Sequence, residues 1–238
     1  RALVAQCQST LAQEGLFTLP GFVRPDALEP ALQGLKPVLA RAAFEHARRH
    51  NIYFKPGIEG LAPDHPALRE FETSNRTICA DQIAGNAVID LYEWPPFAVF
   101  LAAVMARSQL FTMADPLARV NVMSYGEGQA LNWHFDRSEF TTTLLLQAPD
   151  AGGVFEYDKD LRSAKDPNYA GVADLLQGRR HPAQITSPRS KAKTRASSRC
   201  FPITNSPASP SAIRNASGFT AEPPETKRHA AARARQAT

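Results

Sequence analysis

The chain has 238 residues, 43% of them apolar, which suffices for one globular domain with a hydrophobic core. No apolar run reaches the ~18 residues of a membrane-spanning helix, so we expect no membrane association. Three widely separated cysteines, Cys7, Cys79 and Cys200, argue against a disulfide framework and against a CxxC zinc site. They favour a reducing, cytoplasmic location.

The net charge of +4 is unevenly distributed along the chain. Residues 1–180 hold 17 Lys and Arg against 21 Asp and Glu, whereas residues 181–238 hold 10 against 2, which gives net charges of −4 and +8. Residues 179–238 are also poor in large apolar side chains, so we expect a basic, low-complexity, disordered tail. Its basic residues are scattered among Ser and Pro, and no aromatic stacking platform accompanies them, which argues against nucleic-acid binding.

Helical periodicity dominates residues 1–115, which we predict to form a helical support region. Gly15 ends the first helix, Pro25 begins the second, and Pro95-Pro96 interrupts the third. The predicted elements are a helix over 2–14, a short strand over 16–19, a helix from 25 that continues to 49, a loop over 51–61 and a helical region over 87–108.

Alternation with period two takes over in residues 116–178, the predicted jelly-roll core. The predicted strands cover 117–125, 140–147 and 154–157, and the second of them includes the apolar run Leu144-Leu145-Leu146. Helices followed by closely spaced strands are typical of an α+β or mainly β fold, here a β-sandwich or jelly roll braced by N-terminal helices.

A metal-binding pattern lies between the first two of these strands. His134 and Asp136 are two residues apart, so on an extended chain their side chains project to the same face. One imidazole and one carboxylate, joined by a distant histidine, make the facial triad that suits Fe(II). The H-x-D pattern alone occurs by chance in many proteins, and its sequence context therefore decides its weight.

That context consists of six segments: residues 74–76, 115–118, 121–128, 141–147, 160–163 and 168–169. With the H-x-D pattern they resemble 2-oxoglutarate- and Fe(II)-dependent oxygenases, in particular the group that includes the free-amino-acid halogenases. The resemblance covers residues 1–178. It implies a double-stranded β-helix (jelly-roll) fold, Fe(II), 2-oxoglutarate as co-substrate, dioxygen and a small-molecule substrate. The implied activity is that of a dioxygenase, an oxidoreductase that forms succinate from 2-oxoglutarate.

The carboxylate of the pattern distinguishes this chain from the halogenases it resembles. Those enzymes have glycine in place of the carboxylate ligand so that chloride can bind iron, whereas this chain has Asp136. Hydroxylation, for example of a free amino acid, is therefore favoured, with halogenation as an alternative. A sugar-isomerase or cupin-like jelly roll is a further alternative, but such proteins usually have more histidines close to the first.

Three further residues are candidates for binding small molecules. The resemblance assigns Tyr125 to the 2-oxoglutarate carboxylate, and the alternative is a core tyrosine. Arg137 and Glu139 directly follow the metal pattern. They are candidates for binding a charged substrate, and the alternative is a solvated surface pair.

The distal part of the pattern is less evident. The resemblance implies a distal histidine and, about ten residues later, an arginine for the far carboxylate of 2-oxoglutarate. Only His181 and His229 follow the H-x-D pattern, and His181 is the candidate third metal ligand. A frameshift within the tail would explain the missing arginine and strands. An inactive, truncated homologue is therefore the main alternative to an active enzyme.

Overall fold

The computed structural model describes residues 1–136 and 140–185, together with the backbone of 197–199 and 219–220. In this part of the chain the α-helices are α1 (Ala2–Glu14), α2 (Pro25–Ala42), α3 (Ala87–Glu93), α4 (Pro95–Val104) and α5 (Tyr169–Leu176). The strands are β1 (Phe44–His50), β2 (Phe71–Cys79), β3 (Phe111–Thr112), β4 (Asn121–Ser124), β5 (Val154–Tyr157), β6 (Ala183–Ile185), β7 (Ser197–Arg199) and β8 (Phe219–Thr220). Short 3-10 turns, Pro66–Leu68 and Ala80–Ile83, flank β2.

Local chemistry places the end of the first helix and the start of the second where the sequence predicts them. α1 ends at Gly15, whose φ of +80° lies in the left-handed region, and its N–H donates to the Leu11 carbonyl. α2 begins at Pro25. Proline is tolerated there because the N–H groups of the first helical turn have no acceptor within the helix, so the missing N–H costs no hydrogen bond. The predicted strand over 16–19 is not formed.

The predicted continuation of the second helix to residue 49 is wrong, because α2 ends at Ala42 and the chain then enters β1. β1 pairs with β2 along its whole length, in an antiparallel register from Phe44 opposite Thr77 to His50 opposite Phe71. The β2 backbone thus supplies the hydrogen bonds that a helix would have made locally.

The predicted helical region over 87–108 is confirmed as α3 and α4, which are separated at Pro95 as expected. The Asn86 side chain caps α3 by accepting a hydrogen bond from the Val88 N–H at 3.1 Å. Among the described residues no single helix is long and apolar enough to cross a membrane. α3 and α4 would reach that length together, but they are bent by 52°.

β1, β2 and β4 form an antiparallel sheet whose two faces differ in chemistry. One face contributes Ile78 and Val122 to the main hydrophobic core, which also contains Leu35 of α2. The opposite face, which we call the polar face, carries Thr73 and Asn75 among its buried residues, each 2% exposed. Buried polar groups require hydrogen-bond partners, so this face is organised by polar contacts rather than by apolar packing.

Of the three strands predicted after residue 116, one is formed in full, one in part and one not at all. β5 confirms the strand over 154–157, and β4 is the central part of the strand predicted over 117–125. Residues 140–147 form no strand, and Leu144 and Leu145 are 39% and 59% exposed. An apolar run becomes a strand only where a neighbouring strand accepts its hydrogen bonds, and the described residues place none beside it.

A second hydrophobic core lies beside the H-x-D segment. One side of this core is formed by α5, a helix that the sequence analysis did not predict. The Asn168 side chain caps α5 by accepting a hydrogen bond from the Gly171 N–H at 3.0 Å. The buried residues of this core are Ile52, Ala67, Trp133, Phe135, Leu161, Val172, Ala173, Leu175 and Leu176.

The chain is a mixed α+β protein, as predicted at the level of fold class. Besides the main sheet, the described backbone forms a sheet of β3 and β8 and a sheet in the order β6-β5-β7. These sheets do not close into a barrel within the described residues, so a jelly roll does not follow from them. The main sheet joins the two regions that the sequence analysis separated at residue 115. The tail predicted to be disordered begins at residue 179, and residues 179–185 are described and include β6. The side chains of the rest of the tail lie outside the described residues.

Candidate metal centre

Contacts from two sides hold the H-x-D segment in place. On the sheet side, the Asn132 N–H donates to the Thr73 hydroxyl at 3.1 Å, and the Asn132 side-chain amide donates to the Glu72 carbonyl at 2.6 Å. On the other side, the Phe135 N–H donates to the Ile52 carbonyl at 3.3 Å. The segment is thus bound to β2 and to the loop that follows β1, although it belongs to no strand.

Alternation along the segment separates core residues from metal-ligand candidates. Trp133 and Phe135 are 2% and 5% exposed and belong to the second core. His134 and Asp136 come together instead, with His134 Nε2 at 3.1 Å from Asp136 Oδ1, and their side chains are 12% and 17% exposed. The structure thus brings together the two candidate ligands that the sequence analysis identified, as period-two alternation predicts.

The tautomer of His134 suits a metal ligand. Its Nδ1 lies 2.7 Å from the Asn132 carbonyl, which can only accept, so Nδ1 donates and Nε2 faces Asp136. Burial lowers the pKa of His134, but the hydrogen bond and charge of Asp136 and the Asn132 carbonyl outweigh burial and raise it above its ordinary value. A proton and a metal ion are alternatives on Nε2, because both require its single lone pair.

Asp136 is oriented by two contacts of its own. The Thr141 hydroxyl donates to Asp136 Oδ2 at 3.0 Å, which leaves Oδ1 directed at His134. The Arg162 guanidinium donates to the Asp136 carbonyl at 3.4 Å and lies over the Phe135 ring, 4.1 Å from its centroid. Sequence analysis had treated Thr141 only as part of a strand, and it did not predict this contact with Asp136.

The spacing of the two side chains fits a shared divalent metal. Two ligands, each about 2.1 Å from a metal and at right angles to one another, are separated by roughly 3.0 Å. The observed separation of His134 Nε2 and Asp136 Oδ1 is 3.1 Å. The imidazole and carboxylate donor set also matches two of the three protein ligands preferred by non-haem Fe(II).

The described residues provide no third ligand beside this pair, since they contain no group of three or more His, Cys, Asp or Glu side chains able to hold a metal. His181, the predicted third ligand, lies instead at a cleft of about 230 Å³ next to Arg180 and Asp158. Arg180 forms an ion pair with Asp158 there. His229 lies outside the described residues.

The remaining predicted site residues are not brought to the metal pair by any described contact. Tyr125 directly follows β4, is 38% exposed, and its hydroxyl donates to Met123 Sδ at 3.3 Å. Arg137 and Glu139, the candidates for substrate binding, lie outside the described residues.

The structure adds His50 to the site, a residue to which the sequence analysis assigned no role. His50 Nδ1 lies 3.0 Å from the Asn51 carbonyl and Nε2 lies 2.8 Å from the Thr73 hydroxyl, the same hydroxyl that accepts from Asn132. Burial, the largest cause, lowers the pKa of His50, and the positive charge of nearby groups adds to this effect. The period-two spacing of His46, Arg48 and His50 is the sequence signal that indicates a strand here.

Phe54 connects His50 to His134. Its ring stacks on His50 with 4.4 Å between centroids, and its centroid lies 6.1 Å from that of His134. The backbone of Phe54 has φ of +56°, which is strained for a bulky residue. Asn51 stabilises the turn, because its side-chain oxygen accepts from the N–H groups of Tyr53 and Lys55 at 3.1 and 3.2 Å.

Comparison with known proteins adds no assignment to this geometry. No family model matches the chain, and no curated protein matches it. A functional assignment therefore depends on the side chains of the site and on the motif residues.

Proposed function

We propose that this protein is an Fe(II)- and 2-oxoglutarate-dependent dioxygenase of the jelly-roll class that hydroxylates a small molecule such as a free amino acid. The observation that carries the proposal is the pairing of His134 Nε2 with Asp136 Oδ1 at 3.1 Å. Each side chain is fixed by a second contact, from the Asn132 carbonyl and the Thr141 hydroxyl respectively. Such fixed ligands favour metal binding because little side-chain freedom is lost.

When bound, Fe(II) and 2-oxoglutarate supply the oxidising chemistry: dioxygen, 2-oxoglutarate and a C–H bond give succinate, carbon dioxide and a C–OH group. The residues of this chain bind and orient. His134 and Asp136 would hold the metal, and Trp133 and Phe135 pack into the second core behind the segment. Asp136 occupies the position that is glycine in halogenases, which supports hydroxylation over chlorination.

A third protein ligand completes this proposal, and His181 is the candidate. Reaching the metal pair requires residues near His181 to leave the cleft beside Asp158. A second candidate function is that of an inactive homologue that binds metal weakly. The observation that favours it is the two-ligand site formed by the described residues.

The test is an anaerobic titration of the purified chain with Fe(II) in the presence of 2-oxoglutarate. A metal-bound 2-oxo acid gives a weak visible charge-transfer band at about 500 nm. We expect the band to saturate at one equivalent, to disappear in Asp136→Asn, and to persist in Asp64→Asn, which changes an exposed carboxylate elsewhere.

The same titration separates the two candidates. Loss of the band in His181→Ala identifies that side chain as the third ligand. Absence of the band from this chain, with its appearance in a chain whose frame is shifted after residue 185, establishes the inactive homologue instead.

A further inference from the structure

A chain of hydrogen bonds leads from the metal pair to a buried histidine of β1. His134 Nδ1 donates to the Asn132 carbonyl at 2.7 Å, and the Asn132 N–H donates to the Thr73 hydroxyl at 3.1 Å. Thr73 Oγ1 lies in turn 2.8 Å from His50 Nε2, and His50 Nδ1 lies 3.0 Å from the Asn51 carbonyl. His50 is thus connected to a candidate metal ligand through two residues, one in β2 and one in the H-x-D segment.

The direction of each hydrogen bond in this chain follows from the groups at its far end. The Asn51 carbonyl can only accept, so His50 Nδ1 carries a proton and donates to it. Burial lowers the pKa of His50, which keeps the ring neutral at pH 7, so Nε2 has no proton and accepts from the Thr73 hydroxyl. The Thr73 oxygen then accepts the Asn132 N–H with a lone pair. All the donors therefore point away from the metal pair.

His50 fixes the direction in which the Thr73 hydroxyl points. The His50 ring is itself held by two hydrogen bonds and by the Phe54 ring, which stacks on it with 4.4 Å between centroids, and His50 is 6% exposed. Among the described residues the Thr73 hydroxyl has no polar partner besides His50 and Asn132. A buried hydroxyl needs an acceptor for its proton. Without His50 it would rotate towards another acceptor, and its oxygen would leave the Asn132 N–H.

We propose that His50 is a positioning residue of the metal site, which acts through Thr73 and Asn132 to hold His134 in the orientation that binds metal. The inference rests on the proposed function, because it concerns the affinity of the same site for Fe(II). Ordered partners of a ligating histidine fix its tautomer and ring orientation and raise its basicity, since each hydrogen bond in a chain polarises the next. A histidine that only joins β1 to β2 would leave the metal affinity of the folded chain unchanged.

The test separates the two nitrogens of His50 by substitution. In His50→Gln the side-chain oxygen can reach the position of Nε2 and accept from the Thr73 hydroxyl, whereas in His50→Asn the shorter side chain reaches only the position of Nδ1, next to the Asn51 carbonyl. Anaerobic calorimetry with Fe(II) should show about tenfold weaker binding in His50→Asn and most of the affinity retained in His50→Gln. We expect the low end of the range for partners that orient a ligand, because the Glu72 carbonyl also holds the Asn132 side chain.

A second background distinguishes an effect through Thr73 from a direct one. Thr73→Val removes the hydroxyl, so His50→Asn should cause no further loss of affinity in that background. Asn86→Ala is the matched control, because the Asn86 side chain also forms two hydrogen bonds with the backbone, to the Val88 N–H and the Ala31 carbonyl, but lies at the start of α3. It should bind Fe(II) as the unaltered chain does, which would show that a loss of stability alone does not lower the affinity.

Two results would overturn the inference while the proposed function stands. One is a folded His50→Asn that binds Fe(II) as tightly as the unaltered chain, and the other is an equal loss of affinity with and without the Thr73 hydroxyl. His50→Phe, which keeps a ring against Phe54 but neither nitrogen, takes the place of His50→Asn if the latter does not fold, with the same expected loss. If the unaltered chain binds no Fe(II), the proposed function itself fails, and the inference fails with it.

Discussion

The contact between Thr141 and Asp136 allows the proposed metal site to be tested without changing either proposed ligand. Thr141→Val removes the hydroxyl that donates to Asp136 Oδ2 at 3.0 Å and keeps the shape of the side chain. The Asp136 side chain is 17% exposed, so water replaces this donor only partly. A hydrogen bond to a charged group contributes about 1.5–3 kcal/mol, and losing a contact that orients a metal ligand lowers metal affinity about 10- to 100-fold. The two magnitudes agree, since a tenfold change corresponds to about 1.4 kcal/mol.

The assay is calorimetric titration of the metal-free chain with Fe(II) under anaerobic conditions. Thr143→Val is the matched control, because Thr143 is exposed and two residues along the same segment. We expect the affinity to fall in Thr141→Val and to stay unchanged in Thr143→Val. Equal affinities in the two variants would refute the argument that Thr141 orients the Asp136 carboxylate for a metal.

Three further predictions concern the fold around the site. The pKa of His50 is lowered in the folded chain, so as the pH falls below about 6.5 the unfolded chain binds a proton more readily than the folded one, and the free energy of unfolding decreases. Urea unfolding at several pH values should show a smaller decrease of this free energy on acidification in His50→Gln than in the unaltered chain. An equal decrease in both chains would contradict this. Leu35→Ala should lower the free energy of unfolding by about 2–5 kcal/mol, because Leu35 is 1% exposed in the main core, whereas Leu145→Ala, at a position 59% exposed, should change it by less than about 1 kcal/mol. Gly15→Ala should destabilise α1 by about 1 kcal/mol or more, because the φ of Gly15 is +80°, which strains any residue with a Cβ, and an added Cβ would lie 2.8 Å from Lys159 Cγ. A melting temperature equal to that of the unaltered chain would contradict this expected strain.

Elements with local signals were predictable from the sequence. Gly15 ends α1, Pro25 begins α2 and Pro95 separates α3 from α4, because each acts through its own backbone geometry. The proximity of His134 and Asp136 was equally local, since alternation along an extended chain places residues two apart on one side.

Tertiary structure decided what depends on distant partners. β1 was mistaken for helix because its strand state depends on β2, whereas the more apolar run over 140–147 remains outside any strand. The contacts that hold the backbone of the H-x-D segment, from Thr73, Ile52 and Arg162, come from segments far away in the chain. Backbone hydrogen bonds and packing at long range cannot be inferred from local periodicity. The sequence by itself therefore determined the two candidate ligands, while only the tertiary structure decided how they are held and which side chains surround them.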